Sequence, residues 1–558
     1  MKLSLATPNF KTLLPGYNEK LQSDLFVALE ALLDKEDVTA SIDLILPLTK
    51  RRFASAVTYE ILGLLYIDQQ NFTKSREALE KAYSFSSKNI TVLTYLGVCY
   101  AREGKLFDAT SYFEKVLRLQ NYENKDMVSF LAEFYNNNFA WSKTLELVKL
   151  ANCQLNTRIY LAEFEALRNL GREKEIIHKI NGFDKENFSR DTFVILAESY
   201  KKLHDKAKTI EVLKEGLVYF PWDGRLLWML LGYETELIDT ISVETLSEKF
   251  LEAMNKGGSD SKEDTFYYSL CLHKVYEGKK DFEKSFSFLE TAYPVKLQQT
   301  VYRIENDKFL LQKMIALNHL EIKLPQVSSD TAVVFLVGLP NSGTSELGNL
   351  LKTVKNSFSG DECPFLSAAI NKSDFLNSGL YDDLIMIKDH YFKFLKDAGF
   401  SGNFFVDNNP LNFRFLPIIR HAFPHCIIIH TQRDFKQNIL SCFLENFTNS
   451  SYDFTYDQSI LNEYVRLYRE ANASFKLKQV ESEYYFNFDE FKKKPKLVAN
   501  NLIGFLTTPR SEYCLEDLGD DLFNEFGFVE KLVEEEMQNI EIKHEYYQKY
   551  ISILTLGL

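Results

Sequence analysis

The chain has 558 residues, 45% hydrophobic and 26% charged, ordinary globular values that exclude a largely disordered polymer and support cores without disulfides. At ~150 residues per domain the length predicts three or four units or a repeat array. The formal net charge of −13 argues against a general nucleic-acid binder, but ten carboxylates against Lys531 within 511–540 supply −9 of it and leave −4 elsewhere, so an anionic small-molecule site is compatible with the charge.

No apolar run approaches the ~20 residues that span a bilayer. The N-terminal MKLSLATPNFKTLLPG lacks the apolar core and cleavage site of a signal peptide. Both predict a cytoplasmic chain with no membrane span. The seven cysteines are odd in number, scattered and free of any CxxC pair; this suits reduced thiols and argues against a disulfide framework or a zinc cluster.

The first 320 residues repeat. TYEILGLLYIDQQNF carries Gly63 and Tyr66, VLTYLGVCYAREGKL carries Gly97 and Tyr100, and each pair is 34 residues apart. VILAESYKKLHDKAKTIEVLKEGLVYFP sets Ala197, Tyr200, Leu213 and Pro221 in the same frame. A small residue lets the two helices of a repeat approach, and the aromatic fills the gap to the next repeat. The 34-residue period resembles the tetratricopeptide repeat. Copies at 124–155 and 157–186 are degenerate, and 226–260 is weaker. Alone, such an array reads as a scaffold for a partner or a neighbouring domain.

From about residue 331 the period changes. TAVVFLVG (331–338), NFFVD (403–407), CIIIH (426–430) and YYFNF (484–488) are short apolar runs with helical stretches between them. Strands alternating with helices predict a parallel sheet covered on both faces. The expected fold class is therefore α plus α/β: a helical solenoid over 1–325, a three-layer P-loop-like α/β domain over 326–510, and an acidic, mainly helical extension over 511–558.

VFLVGLPNSGTSELGNLLKTV joins the first strand to an amphipathic helix with Leu347, Leu350, Leu351 and Val354 on one face. A Gly/Ser-rich turn here aims several backbone N–H groups at one point on the positive end of a helix dipole, an anion cradle. Gly338 to Gly343 has the spacing of a nucleoside-triphosphate loop, but Thr344 and Ser345 stand where that motif needs Lys and then Ser or Thr. The plain alternative is an ordinary strand-to-helix turn.

The phrase P-x-S-G-T-S at this place resembles the 5′-phosphosulfate loop of sulfotransferases that use 3′-phosphoadenosine 5′-phosphosulfate (PAPS). TQRDFKQNILSCFLENF follows the strand CIIIH and sets Arg433 and Ser441 eight residues apart, a pair that in those enzymes grips the 3′-phosphate. FVDNNPLNFRFLPIIRHAFPHCIIIHTQRDFKQNILSCFLENF and GDECPFL are similar to the tetratricopeptide-repeat sulfotransferases, whose catalytic domain resembles that of tyrosylprotein sulfotransferases. The resemblance covers about 265–506.

It implies PAPS as the sulfuryl donor, no metal, and a hydroxyl acceptor on a protein tyrosine, a glycan or a small alcohol. Pro340, Asn341, Ser342, Gly343, Thr344 and Ser345 would hold the 5′-phosphosulfate, and Arg433 with Ser441 the 3′-phosphate. Glu362 would be the general base, with Asp361 beside it in the same motif; its plain alternative is a carboxylate favoured at a helix N-terminus. Asn341 and Asn408 stand where the family carries Arg or Lys and then Lys, so this chain lacks two cations of the catalytic set. Lys352, Lys388 and Arg414 are the candidates to replace them. The family's adenine-side loop finds only Thr507, Thr508, Arg510 and Ser511 as a partial match. The rival reading is a catalytically impaired member that serves as a nucleotide-binding or protein-interaction scaffold. A protein partner on the solenoid and a homodimer are both open; a nucleic-acid partner is not expected.

Overall fold

The computed structural model describes residues 19–507 except 36, 50–53, 153–157, 235–237, 239–240, 257, 319–331, 353–356, 361, 374, 379–380, 401, 403, 448 and 477–481. The expected acidic extension and Thr508, Arg510 and Ser511 lie outside the described residues. The chain packs as two compact units, Met1–Ala166 and Leu167–Leu558.

The first unit is helical. Ala56–Asp68 pairs with Phe72–Phe85, Ile90–Arg102 with Leu106–Leu119, and Lys125–Asn137 with Trp141–Ala151. The small residues of the repeat do what their size predicts. A Cβ on Gly63 would lie 2.6 Å from Leu79 Cγ, and one on Gly97 would lie 2.5 Å from Phe113 Cε1. The Tyr100 hydroxyl donates to Glu80 Oε1 at 2.7 Å, tying one repeat to the one before it.

The turn between paired helices recurs with a fixed geometry. Gln70, Gly104 and Phe139 take positive φ (58°, 79° and 54°), and the next N–H bonds back to the carbonyl of Tyr66, Tyr100 and Tyr135 at 2.8–2.9 Å. This is the bond pattern of a helix C-cap in the left-handed conformation. Phe139 lies in a degenerate copy, so the repeat survives there in backbone geometry where its sequence has faded.

The second unit continues the array. Gly171, His204 and Lys280 make the same turn at φ 67°, 58° and 62°, and the last helix pair, Ser259–Gly278 and Phe282–Leu297, is followed by Ile304–Asn318. The α/β part then forms one five-stranded sheet, β1 (Ala332–Val337), β2 (Ser357–Gly360), β3 (Phe404–Asp407), β4 (Ile427–Gln432) and β5 (Glu483–Asn487), in the order β2-β3-β1-β4-β5. All pairings are parallel. Four strands stand where the apolar runs predict them; β2 is an addition, because SFSG carries no strand signature.

Helices cover both faces. Val334 and Leu336 point to Leu347, Leu350 and Leu351 of the following helix and to Val498 and Leu502. On the other face Phe335 meets Tyr391 and Phe423, with ring centroids 5.8 and 5.4 Å apart. The strand order reverses at β1, so the crevice beyond its carboxyl end is the expected ligand position in an open α/β sheet. The last repeats pack on this domain: Phe286 stacks on Phe443, the Tyr293 hydroxyl donates to the Phe443 carbonyl, and Asp307 pairs with Arg414 at 3.0 Å.

Candidate functional site

The loop after β1 is held from three sides. Its turn places Asn341 at φ 59° and Gly343 at φ 99°, and a Cβ on Gly343 would lie 2.6 Å from the Phe488 ring. Glycine is required there both by φ and by space. The Ser342 hydroxyl is buried and turned inward, donating to Leu339 O at 2.6 Å and sharing a hydrogen bond with Thr431 Oγ1. Ser342 thus offers the cleft its backbone and keeps its hydroxyl for the turn. Asn438 Nδ2 and the Cys442 thiol both donate to Pro340 O, and Gly338 N–H donates to Pro410 O at 3.0 Å, joining the loop to the turn after β3. Burial pushes the Cys442 thiol up to about 12, so packing accounts for this cysteine.

The helix Thr344–Lys352 starts where the loop ends. Thr344 is buried and Ser345 exposed. The first N–H groups of a helix have no intrahelical acceptor, so this end is an anion-binding position.

Arg433 follows β4, the strand beside β1. Its Nη1 donates to Asn341 O at 3.2 Å and to Ser441 Oγ at 3.0 Å, which brings both halves of the predicted pair onto the loop. Nε and Nη2 are buried with no hydrogen-bond partner. Burial lowers the guanidinium from its ordinary value. Asp434 caps the next helix through Gln437 N–H at 3.0 Å.

That cleft, about 610 Å³, is lined by Ser342, Arg433, Tyr468, Arg469, Asn472 and Lys476 among others. The last four come from the helix Gln458–Phe475 and its cap. They carry no motif in the sequence; only the basic and aromatic residues on consecutive turns hint at a role. A second cleft of about 680 Å³ lies on the repeats, between Lys262, Phe266 and Lys296, away from the loop.

Asn408 follows β3. It is 4% exposed, and its Nδ2 sits 2.5 Å from where a Cβ on Gly348 would be. Its Oδ1 is buried with no donor. The neighbouring Asp407 was not singled out by the sequence, yet it organises the turn. It accepts from Tyr391 Oη at 2.8 Å, Asn412 Nδ2 at 2.9 Å and Asn409 N–H at 3.3 Å. Burial outweighs these three bonds and lifts its carboxyl to about 7.

Glu362 stands in the turn after β2 at φ 50°, with its carboxylate bonded by the Tyr452 phenol. Gly360 pairs with Asp407 and Asp407 with Phe335. Glu362 is therefore on the same carboxyl edge as the loop but two strand positions away, ~10 Å at ~4.8 Å per strand. The described structure brings Asn341, Arg433 and Ser441 into contact and sets Asn408 against the loop helix. Among the candidate replacement cations, Arg414 is committed to Asp307. Lys388 is half-buried on the helix Tyr381–Asp397, and the Lys352 side chain is outside the described residues. No group of three or more His, Cys, Asp or Glu that could hold a metal occurs among the described residues.

Residues 333–512 match the model of the sulfotransferase family. This stretch is similar to the domains of that family. An uncharacterized protein of Aquifex aeolicus (strain VF5) is 21% identical in an alignment of 291 positions that covers 48% of this chain and 38% of that protein. The chain thus spans well under half the length of that relative. Among solved structures, sulfotransferase STF1 from Mycobacterium tuberculosis H37Rv is similar at 11% identity, covering 53% of this chain and 98% of that one with a TM-score of 0.24. The C-terminal part of a TPR repeat-containing protein from Cytophaga hutchinsonii is similar at 13% identity, covering 48% and 95%, with a TM-score of 0.29. The matched stretch begins one residue into β1 and includes every element that carries a candidate site residue.

Proposed function

We propose that the chain transfers a sulfuryl group from PAPS to a hydroxyl acceptor, with a solenoid over 1–325, a catalytic domain over 326–510 and a cytoplasmic location. The observation that carries this reading is Arg433, a half-buried guanidinium with two buried, unpartnered nitrogens beside an N–H-rich loop. The carboxylates of Asp489, Glu346 and Asp434 act on it by charge, but none bonds Nε or Nη2, and buried N–H donors without acceptors are costly. A phosphate oxygen at the cleft supplies the missing partner through charge-assisted hydrogen bonds. The residues present fit a phosphate-bearing nucleotide on this test.

In this reading the backbone of Ser342–Ser345 and the Thr344 and Ser345 hydroxyls hold the 5′-phosphosulfate. Arg433 and Ser441 hold the 3′-phosphate. Tyr468, Arg469, Asn472 and Lys476 face the adenosine end. Bound PAPS supplies the sulfuryl group on a phosphate leaving group. Glu362 takes the proton from the acceptor hydroxyl, and the in-line placement of the two oxygens is set by the loop and by the walls of the cleft. Asn341 and Asn408 donate hydrogen bonds where charge develops but bring no positive charge. The acceptor, on a tyrosine, a glycan or a small alcohol, is chosen by the loops and repeats around Glu362.

The second reading, a nucleotide-binding or protein-interaction scaffold with impaired transfer, is favoured by Asn408, whose buried amide oxygen has no donor and whose side chain is neutral. Titration calorimetry with 3′-phosphoadenosine 5′-phosphate tests the nucleotide site. We expect micromolar binding that Arg433→Ala removes. A well-folded wild type that does not bind sinks the enzymatic reading and leaves the scaffold.

A further inference from the structure

We propose that Tyr452 is the positioning residue of the base: its buried phenol donates to the Glu362 carboxylate and fixes which oxygen is left to receive the acceptor proton. This rests on the reading of Glu362 as the base. Tyr452 lies on the short 3-10 segment Ser450–Tyr456, capped by Asn449. It is 1% exposed, and its ring packs on Phe447 with centroids 4.6 Å apart. A buried hydroxyl needs a partner, and the carboxylate is that partner.

Among the described residues, the charged or titratable groups that act most on the Tyr452 phenol are Glu362, Arg414 and Tyr464. Arg414 is half-buried, its charge balanced by Asp307 at 3.0 Å, and Asp307 in turn accepts from the Tyr302 hydroxyl at 2.7 Å. The last helix of the solenoid therefore closes the cluster on which the base rests. Burial first, and the Glu362 charge second, push the Tyr452 phenol well up, so it stays protonated and remains a donor across the working pH range. Glu362 itself is held by a left-handed backbone at φ 50°, a conformation unusual for a residue with a side chain. Backbone and phenol together constrain the carboxylate from opposite ends.

A donated hydrogen bond favours the ionised form of a carboxylate. Tyr452→Phe keeps the ring and its packing and removes only the donor. The test is a carboxyl titration by carbon-13 NMR on the full chain labelled at glutamate Cδ, with the Glu362 signal identified by its loss in Glu362→Gln. We expect the Glu362 midpoint to move up by about one unit in Tyr452→Phe. A shift below ~0.3 unit in the folded variant overturns the proposal. The titration needs no turnover. Release of 3′-phosphoadenosine 5′-phosphate from PAPS, with water as acceptor, separates the role from the reading beneath it. If Glu362→Gln stops release and Tyr452→Phe moves the acid limb upward with nucleotide affinity unchanged, the role stands. If Glu362→Gln stops release and the acid limb of Tyr452→Phe does not move, the positioning role fails alone. A release rate indifferent to Glu362→Gln overturns the base and, with it, the role given to Tyr452.

Discussion

Replacing Asn341 by Arg and Asn408 by Lys restores charge at the two neutral positions, and the structure sets the size of the effect. Asn408 is 4% exposed and its Oδ1 has no donor; an unmet buried acceptor costs about 1–3 kcal/mol, so removing it is favourable. The incoming ammonium lies beside Gly348, whose missing Cβ leaves the space that Asn408 now fills. Without ligand that ammonium is buried and unpaired, a penalty of several kcal/mol. We therefore expect the double variant to lose about 1–3 kcal/mol of stability without ligand, the penalty partly offset by the relieved oxygen. Nucleotide binding should return it, so 3′-phosphoadenosine 5′-phosphate raises Tm more in the variant than in wild type. Each restored donor at developing charge is worth about 10²–10³ in rate. PAPS turnover, followed as release of the bisphosphate, should rise at least ~10²-fold, and by less than the product of the single effects. A folded double variant that binds nucleotide as tightly as wild type and turns over no faster refutes the account of both positions.

Two further outcomes follow from the same geometry. Gly343→Ala meets the Phe488 ring at 2.6 Å and a φ of 99°, so urea unfolding should show a loss of about 1–3 kcal/mol, and nucleotide affinity should fall with it; an unchanged midpoint counts against the strained turn. Glu483 is held down to about 2: burial opposes ionisation, but hydrogen bonds from His430 and Arg420 and their charges outweigh it. Its folded value lies below the ordinary one, so its stabilisation is complete above about pH 4.5 and is lost as pH falls toward 2. Over that window wild type should lose stability more steeply than Glu483→Gln, and parallel pH profiles would show that the pair contributes nothing.

Much of the fold was written locally. The Gly63 and Gly97 spacing marks where helices touch, because contact across a helix pair is a matter of small side chains at a fixed period. The apolar runs at β1, β3 and β4 read as strands because they are buried on both faces. The degenerate copies were harder to read: Phe139 makes the repeat's left-handed turn with a residue that no turn pattern favours. β2 could not be read at all, since SFSG becomes a strand through pairing with Phe404–Asp407 and not through propensity.

At the site, the residues that one strand-to-helix junction delivers are legible locally. Pro340–Ser345 lie on one turn, and Arg433 and Ser441 are joined by one helix, so their spacing is a property of neighbouring residues. What touches across the sheet was decided by tertiary structure alone. Arg433 reaches Asn341 O over 92 residues, and Ser342 meets Thr431 over 89. Tyr452 meets Glu362, and Asp307 meets Arg414 over 107 residues. Such contacts leave no period behind them, because they depend on strand order and on how the solenoid's last helices seat against the sheet. The same holds for the two orphaned groups, Arg433 and Asn408. Whether a polar atom is buried without a partner is a fact about everything folded around it, and local sequence does not contain it.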